Sequence, residues 1–176
     1  TYDQMAVAYQ TIFDRLGLAI KAVEADSGEI GGAQSREFHV LADSGEDALA
    51  YTDAEDFAMN TELAPASPPS EPRAQPAKDM QKVATPDTRR IDQVCELLAV
   101  APQQTIKTLL VESEDNGLIA LLLRGDHSLN PVKAEKIDGV RSPLTLANAE
   151  QIQSVLNVEP GFVGPVASNL RIVADD

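Results

Sequence analysis

Tyr2, Met5, Tyr9, Ile12, Phe13 and Leu16 recur at three- and four-residue spacing, which predicts a helix with one apolar stripe, ended by Gly17. LAIKAVEA and EFHVLA read as strands on either side of the glycine-rich turn DSGEIGG. TDAE at 52–55 has the form of a capping box, with Thr52 as cap and Glu55 reaching back, and predicts a short helix through Asn60. Residues 64–78 hold five prolines and almost no large apolar side chains, the pattern of a linker. Beyond it MQKVAT predicts a short strand, and Ile91, Val94, Cys95 and Leu98 form the inner face of a helix. TLLV and LIALLL are consecutive apolar strands joined by the polar turn ESEDNG. Asn130 and Pro131 are a cap and first helical residue for VKAEKI, which ends at Gly139. A further helix covers roughly 148–156, and the loop EPGFVGPV leads into the strand LRIVA. The pattern predicts an α+β (mixed α/β) chain: residues 1–63, a linker at 64–78, and a compact domain with a mixed sheet at 79–176.

Composition narrows this. Aromatic residues make up only 4% of the 176 and tryptophan is absent, so the core is aliphatic. Fourteen basic against 28 acidic residues leave a net charge of −14, which argues against a general electrostatic grip on nucleic acid and makes any RNA contact local. The single cysteine, Cys95, excludes an internal disulfide and a cysteine metal cluster and falls on an apolar helix face, as a small buried hydrophobe does. With no apolar run near 18 residues, membrane insertion is not expected. The chain starts without methionine and stops directly after LRIVA, and reads as a piece of something longer.

Candidate chemistry is sparse. Lys107 heads a buried strand in QQTIKTLLV. Either it snorkels its ammonium into water, or its charge is held for an anionic ligand. GFVGP, with Gly161, Gly164 and Pro165, is an ordinary tight turn, or a place where backbone groups approach a ligand with no Cβ in the way. Asp175 is a routine strand-end charge or, since α/β domains place ligands at strand ends, part of a site. In RGDHSLN, Asp126 and His127 are too few for a metal site, so no metal is expected, and DSGEIGG lacks the lysine of a phosphate-binding loop.

The order of the segments is more specific. AYQTIFDRLGLAIKAVEADSGEIGGAQSREFHVLADSGED with MNTELA resembles part of the class II catalytic core of a bacterial-type prolyl-tRNA synthetase. TIKTLLV, LLLRGDHSLNPVKAEK and GFVGPV resemble the editing domain inserted into such enzymes, a fold shared with free-standing YbaK-like deacylases. The resemblance implies ligation of proline to tRNA(Pro) with ATP and Mg, and hydrolysis of alanyl-tRNA(Pro) by a cofactor-free editing domain, a second sieve for an amino acid smaller than the cognate one. It implies that Lys107 engages the acceptor end of tRNA, that the 161–165 loop orients substrate and water, and that Asp175 binds the alanyl group. Ile91 and Val94 then limit the pocket, with Thr105 also binding substrate. Val94 is smaller than the residue that the family often has there. No protein nucleophile is needed, because a positioned water aided by the terminal ribose hydroxyl and backbone dipoles suffices for an activated ester.

Arg36 stands where the family usually has histidine, the ATP-binding motifs are absent, and the last editing segment, which brings a histidine to the pocket, is missing. Such a fragment is expected not to charge tRNA. The resemblance further implies a cytoplasmic homodimer as the full enzyme. Two other readings are a free-standing deacylase, against which residues 1–62 argue, and a tRNA-binding module without catalysis.

Overall fold

The computed structural model describes residues 2–25, 35–53, 57–67, 75–76, 78–166 and 169–175. They divide into two compact units, Thr1–Ala66 and Ser67–Asp176. No described helix is long and apolar enough to cross a membrane.

The first unit carries helix α1 (Tyr2–Arg15) and strands β1 (Ile20–Ala25), β2 (Ser35–Val40), β3 (Leu49–Tyr51) and β4 (Ala58–Asn60). The sheet order is β2-β1-β4-β3, with β1 and β4 parallel and the outer pairs antiparallel. Tyr9 and Phe13 set their rings 5.3 and 6.4 Å from that of Phe38 on β2, so the α1 stripe is partly used. Met5, Ile12 and Leu16 on the same stripe remain more than half exposed. The helix expected through Asn60 does not form in its described part. Thr52 N–H donates instead to Phe57 O at 3.1 Å, closing a β3–β4 hairpin whose Ala58 is buried. Pairing with β3 outweighs the capping signal there, while Glu55 and the DSGEIGG turn lie outside the described residues.

The second unit carries α2 (Ile91–Leu98), β5 (Ile106–Glu112), β6 (Leu118–Arg124), α3 (Pro131–Glu135), α4 (Ala149–Leu156) and β7 (Arg171–Ala174). The strand expected at MQKVAT is irregular: Met80 and Val83 stay exposed, so no burial offsets the entropy of ordering them. A 3₁₀ turn, Pro102–Gln104, precedes β5 and has no counterpart in the sequence expectation. Strand β6 lies between β5, antiparallel over seven residue pairs, and β7, parallel. Alternate side chains of β6 enter two cores. Ile119 and Leu121 join Val111, Ala134 and Val140 on one face; Leu118 and Ala120 join Leu110 and Ile152 on the other.

The cap expected at Asn130 is present, and α4 carries one that the sequence reading did not name. Asn130 Oδ1 accepts from Lys133 N–H ahead of Pro131, although α3 stops at Glu135 and a turn continues to Gly139. Asn148 and Gln151 cap α4 reciprocally, at 2.8 and 2.9 Å. Helix α2 ends less comfortably, because Ala99 adopts the left-handed conformation at φ 52°. That conformation costs an L-residue about 1–2 kcal/mol, part of which glycine gives back through its freer unfolded chain. Ala99→Gly should therefore raise the unfolding free energy by about 0.5–1 kcal/mol in urea denaturation.

Candidate functional site

The ends of β5, β6 and β7 carry most of the second unit's candidate chemistry. Lys107 lies on the face of Leu109 and Val111 by strand alternation, and its half-buried side chain donates from Nζ to the backbone O of His127 at 2.5 Å. His127 Nδ1 lies 2.6 Å from Asp175 Oδ2. Asp175 N–H donates to Leu122 O at 2.9 Å, continuing the β6–β7 ladder one residue past the strand and fixing where the carboxylate emerges. Lys107 and Asp175, 68 positions apart in the chain, thus meet across one imidazole-bearing residue.

The neighbouring Asp126 does not join them. Arg124 grips its carboxylate with Nε and Nη2 at 2.6 and 3.0 Å. This fork holds the Asp126 carboxyl below the usual carboxylate range and raises the Arg124 guanidinium. Asp126 is thereby committed to an ion pair.

Gly125, buried between these residues, brings a second group together. A Cβ there would lie 2.0 Å from Thr105 Oγ1, 2.5 Å from Pro102 O and 3.2 Å from Ile91 Cγ2. Gly125 N–H also donates to Thr105 O at 2.8 Å, and Thr105 Oγ1 donates to Pro102 O at 2.8 Å. The start of α2, the 3₁₀ turn and the end of β6 are therefore drawn in around a residue without a side chain. Val94 lies three residues further along α2, half-buried.

The 161–165 loop is rooted on the opposite face of the sheet, where Val163 packs against the cluster of Leu110, Ala120 and Ile152. Gly161 is left-handed at φ +93°, and a Cβ there would meet Arg89 Cβ, Cγ and Cδ at 3.2–3.5 Å. Gly164 has open space where a Cβ would stand, and Pro165 is half-buried. Thr108, which faces the loop's side of the sheet, has a buried hydroxyl with no hydrogen-bond partner among the described residues.

In the first unit, Glu37, His39 and Asp47 each bring one potential metal-ligating atom within 4.8 Å of the others. They adjoin a cavity of about 490 Å³ lined by residues that include His39, Asp47 and Tyr51. Lys21 stands opposite His39 in the β1–β2 register and lies over the Tyr51 ring, so a cation already occupies the neighbourhood. Arg36, exposed, is paired in register with Glu24.

Residues 85–176, just over half of the chain, match the model of the aminoacyl-tRNA editing domain family. The chain belongs to that family. Among solved structures it is similar to the hypothetical protein APE2540, at 31% identity over 49% of this chain and 57% of that one, with a TM-score of 0.43. It is also similar to a protein described as a candidate trans-editing enzyme for prolyl tRNA synthetase, at 24% identity over 51% of this chain and 57% of that one, with a TM-score of 0.46. The chain thus spans 57% of the length of each.

Within the editing domain, Lys107 and Asp175 are linked through His127, and Ile91 and Thr105 meet at Gly125, while the loop with Gly161, Gly164 and Pro165 is rooted on the other face and meets Arg89, ahead of α2, at Gly161. Sequence reasoning weighed His127 only beside Asp126 as a metal pair and set it aside, because its carboxylate partner lies 48 positions away. It also passed over Gly125, whose sole signal is a glycine directly after a strand. Gly125→Ala should displace Thr105 or the 3₁₀ turn, at a cost of about 1–3 kcal/mol or more, and lower the melting temperature in calorimetry.

Proposed function

We propose that the editing domain hydrolyses the ester of mischarged alanyl-tRNA(Pro). The observation that carries this reading is the Lys107–His127–Asp175 array at the strand mouth, within a domain of the editing family. A lysine ammonium has three donors. One is spent on His127 O, which holds the side chain in place, and two remain for the anionic acceptor end of tRNA beside the scissile ester. Asp175, held by His127 through Oδ2, offers its other oxygen to the ammonium of the alanyl group. Cation and anion then read the two ends of the aminoacyl-adenosine with opposite charges.

Ile91 and Val94 bound the space for the side chain, and Thr105 lines it. They admit a methyl group and turn away the proline ring, which is the direction of discrimination that a first, larger pocket lacks. In the reaction, water oxygen attacks the carbonyl carbon, the oxyanion collapses, the C–O ester bond breaks, and the ribose oxygen leaves with a proton. The terminal ribose hydroxyl assists the water, and backbone dipoles of the 161–165 loop face the developing charge. No protein nucleophile and no metal enter this scheme.

On its sequence resemblance we read the first unit as part of a class II synthetase core, in which case the whole enzyme would also ligate proline with ATP and Mg. A free-standing editing domain would run the same hydrolysis, and proline-dependent charging of tRNA(Pro) separates the two arrangements. The net charge of −14 is consistent with contacts confined to the acceptor end. Lys107→Ala should lower deacylation of alanyl-tRNA(Pro) by about tenfold or more, the loss of one charge-assisted contact. Prolyl-tRNA(Pro) should stay intact in parallel assays. Hydrolysis at the parent rate would reduce Lys107 to a strand-end charge and remove the basis of the reading.

A further inference from the structure

Arg89 makes three separate contacts with the 161–165 loop and its approach. Its Nη2 pairs with Glu159 Oε2 at 2.8 Å, its guanidinium lies 5.0 Å from the centre of the Phe162 ring, and its aliphatic stem covers the bare backbone of Gly161. The base of the side chain is fixed as well. Arg89 N–H and Arg90 N–H both donate to Gln93 Oε1, at 3.1 Å each, which anchors Arg89 to the first turn of α2. Two residues on, Ile91 opens α2 and packs toward Gly125.

These contacts connect parts that the sheet alone holds apart. Val163 roots the loop on the core face of Leu110 and Ile152, whereas Lys107 lies on the face of Leu109 and Val111. Arg89 bridges from the helix that carries Ile91 and Val94 to the loop that carries Gly161 and Gly164. Ion pairs and ring contacts at exposed side chains are individually weak. Here all three converge on the segment 159–162, and the glycine at its centre has little rotational preference of its own to hold the loop. We propose that Arg89 is a positioning residue: it straps the 161–165 loop to the start of α2 and so sets the width of the aminoacyl pocket and its discrimination between alanyl and prolyl esters. The specificity part of this inference rests on the editing function proposed above; the strap itself does not.

Amide hydrogen exchange and deacylation, measured on the same protein of this sequence, test both parts. In Arg89→Ala the Phe162 amide, bonded to Glu159 O at 3.2 Å, should exchange about tenfold faster, with β5 and β6 unchanged. Alanyl-tRNA(Pro) hydrolysis should fall about fivefold and the alanyl-to-prolyl ratio should narrow; Phe162→Ala should shift both in the same direction. The double variant should lose no more than Arg89→Ala alone, since one strap is cut twice. Arg89→Lys, which keeps the stem and the charge, should recover part of the ratio. Unchanged exchange in Arg89→Ala overturns the strap whether or not the protein edits. Faster exchange with an unchanged ratio overturns the specificity role, as does a fully additive double variant. A Lys107→Ala control run alongside separates the levels: if it hydrolyses like the parent, the proposed function fails while the exchange result still decides the strap.

Discussion

Strand β6 is buried on both faces and hydrogen-bonded on both edges, and the residues that the editing domain presents at its mouth hang from its end. Leu118, Ile119, Ala120, Leu121 and Leu123 are all nearly inaccessible, and the first four divide by alternation between two cores. Each large one contributes about 1.5–3 kcal/mol by leaving water. A one-residue slip against β5 would exchange the two sets, so the register is tightly specified. With the register set, Arg124, Gly125, Asp126 and His127 emerge at fixed places. Gly125 meets the start of α2, and His127 lands between a lysine from β5 and a carboxylate just past β7.

That placement matters because the chain is strongly acidic. A lone cation on such a surface is readily screened by salt and by neighbouring carboxylates. Arg124 is taken by Asp126, whereas Lys107 is tied to a neutral carbonyl, which orients it without cancelling its charge. The Asp175 carboxylate is met by the imidazole nitrogen of the same His127. The arrangement ties a positive and a negative group to one residue, His127, which is what the proposed reading of an aminoacyl ester draws on.

Local signals gave much of this chain. The stripe of α1, the cap Asn130, and the apolar runs of β5 and β6 each declare their element through spacing or side-chain chemistry. The failures share one cause. Ala58–Asn60 follows a good capping signal yet pairs as a strand, and MQKVAT, expected as a strand, pairs with none among the described residues. In both places the outcome is set by the presence or absence of a pairing strand, which the segment's own pattern does not report. The site divides in the same way. Lys107 and the glycine loop stand out by residue type, whereas His127, Gly125 and Arg89 gain meaning only from neighbours brought close by the fold.

The central claim is that the mouth of the β5–β6–β7 sheet reads an aminoacyl-adenosine end. It is tested most directly by nuclear magnetic resonance titration with alanyl-adenosine in which an amide replaces the scissile ester. The account predicts saturable shifts at Lys107, His127, Asp175 and the 161–164 backbone, with residues 35–53 unmoved. Shifts confined to the cavity near His39 and Tyr51, or none at saturating ligand, would contradict it.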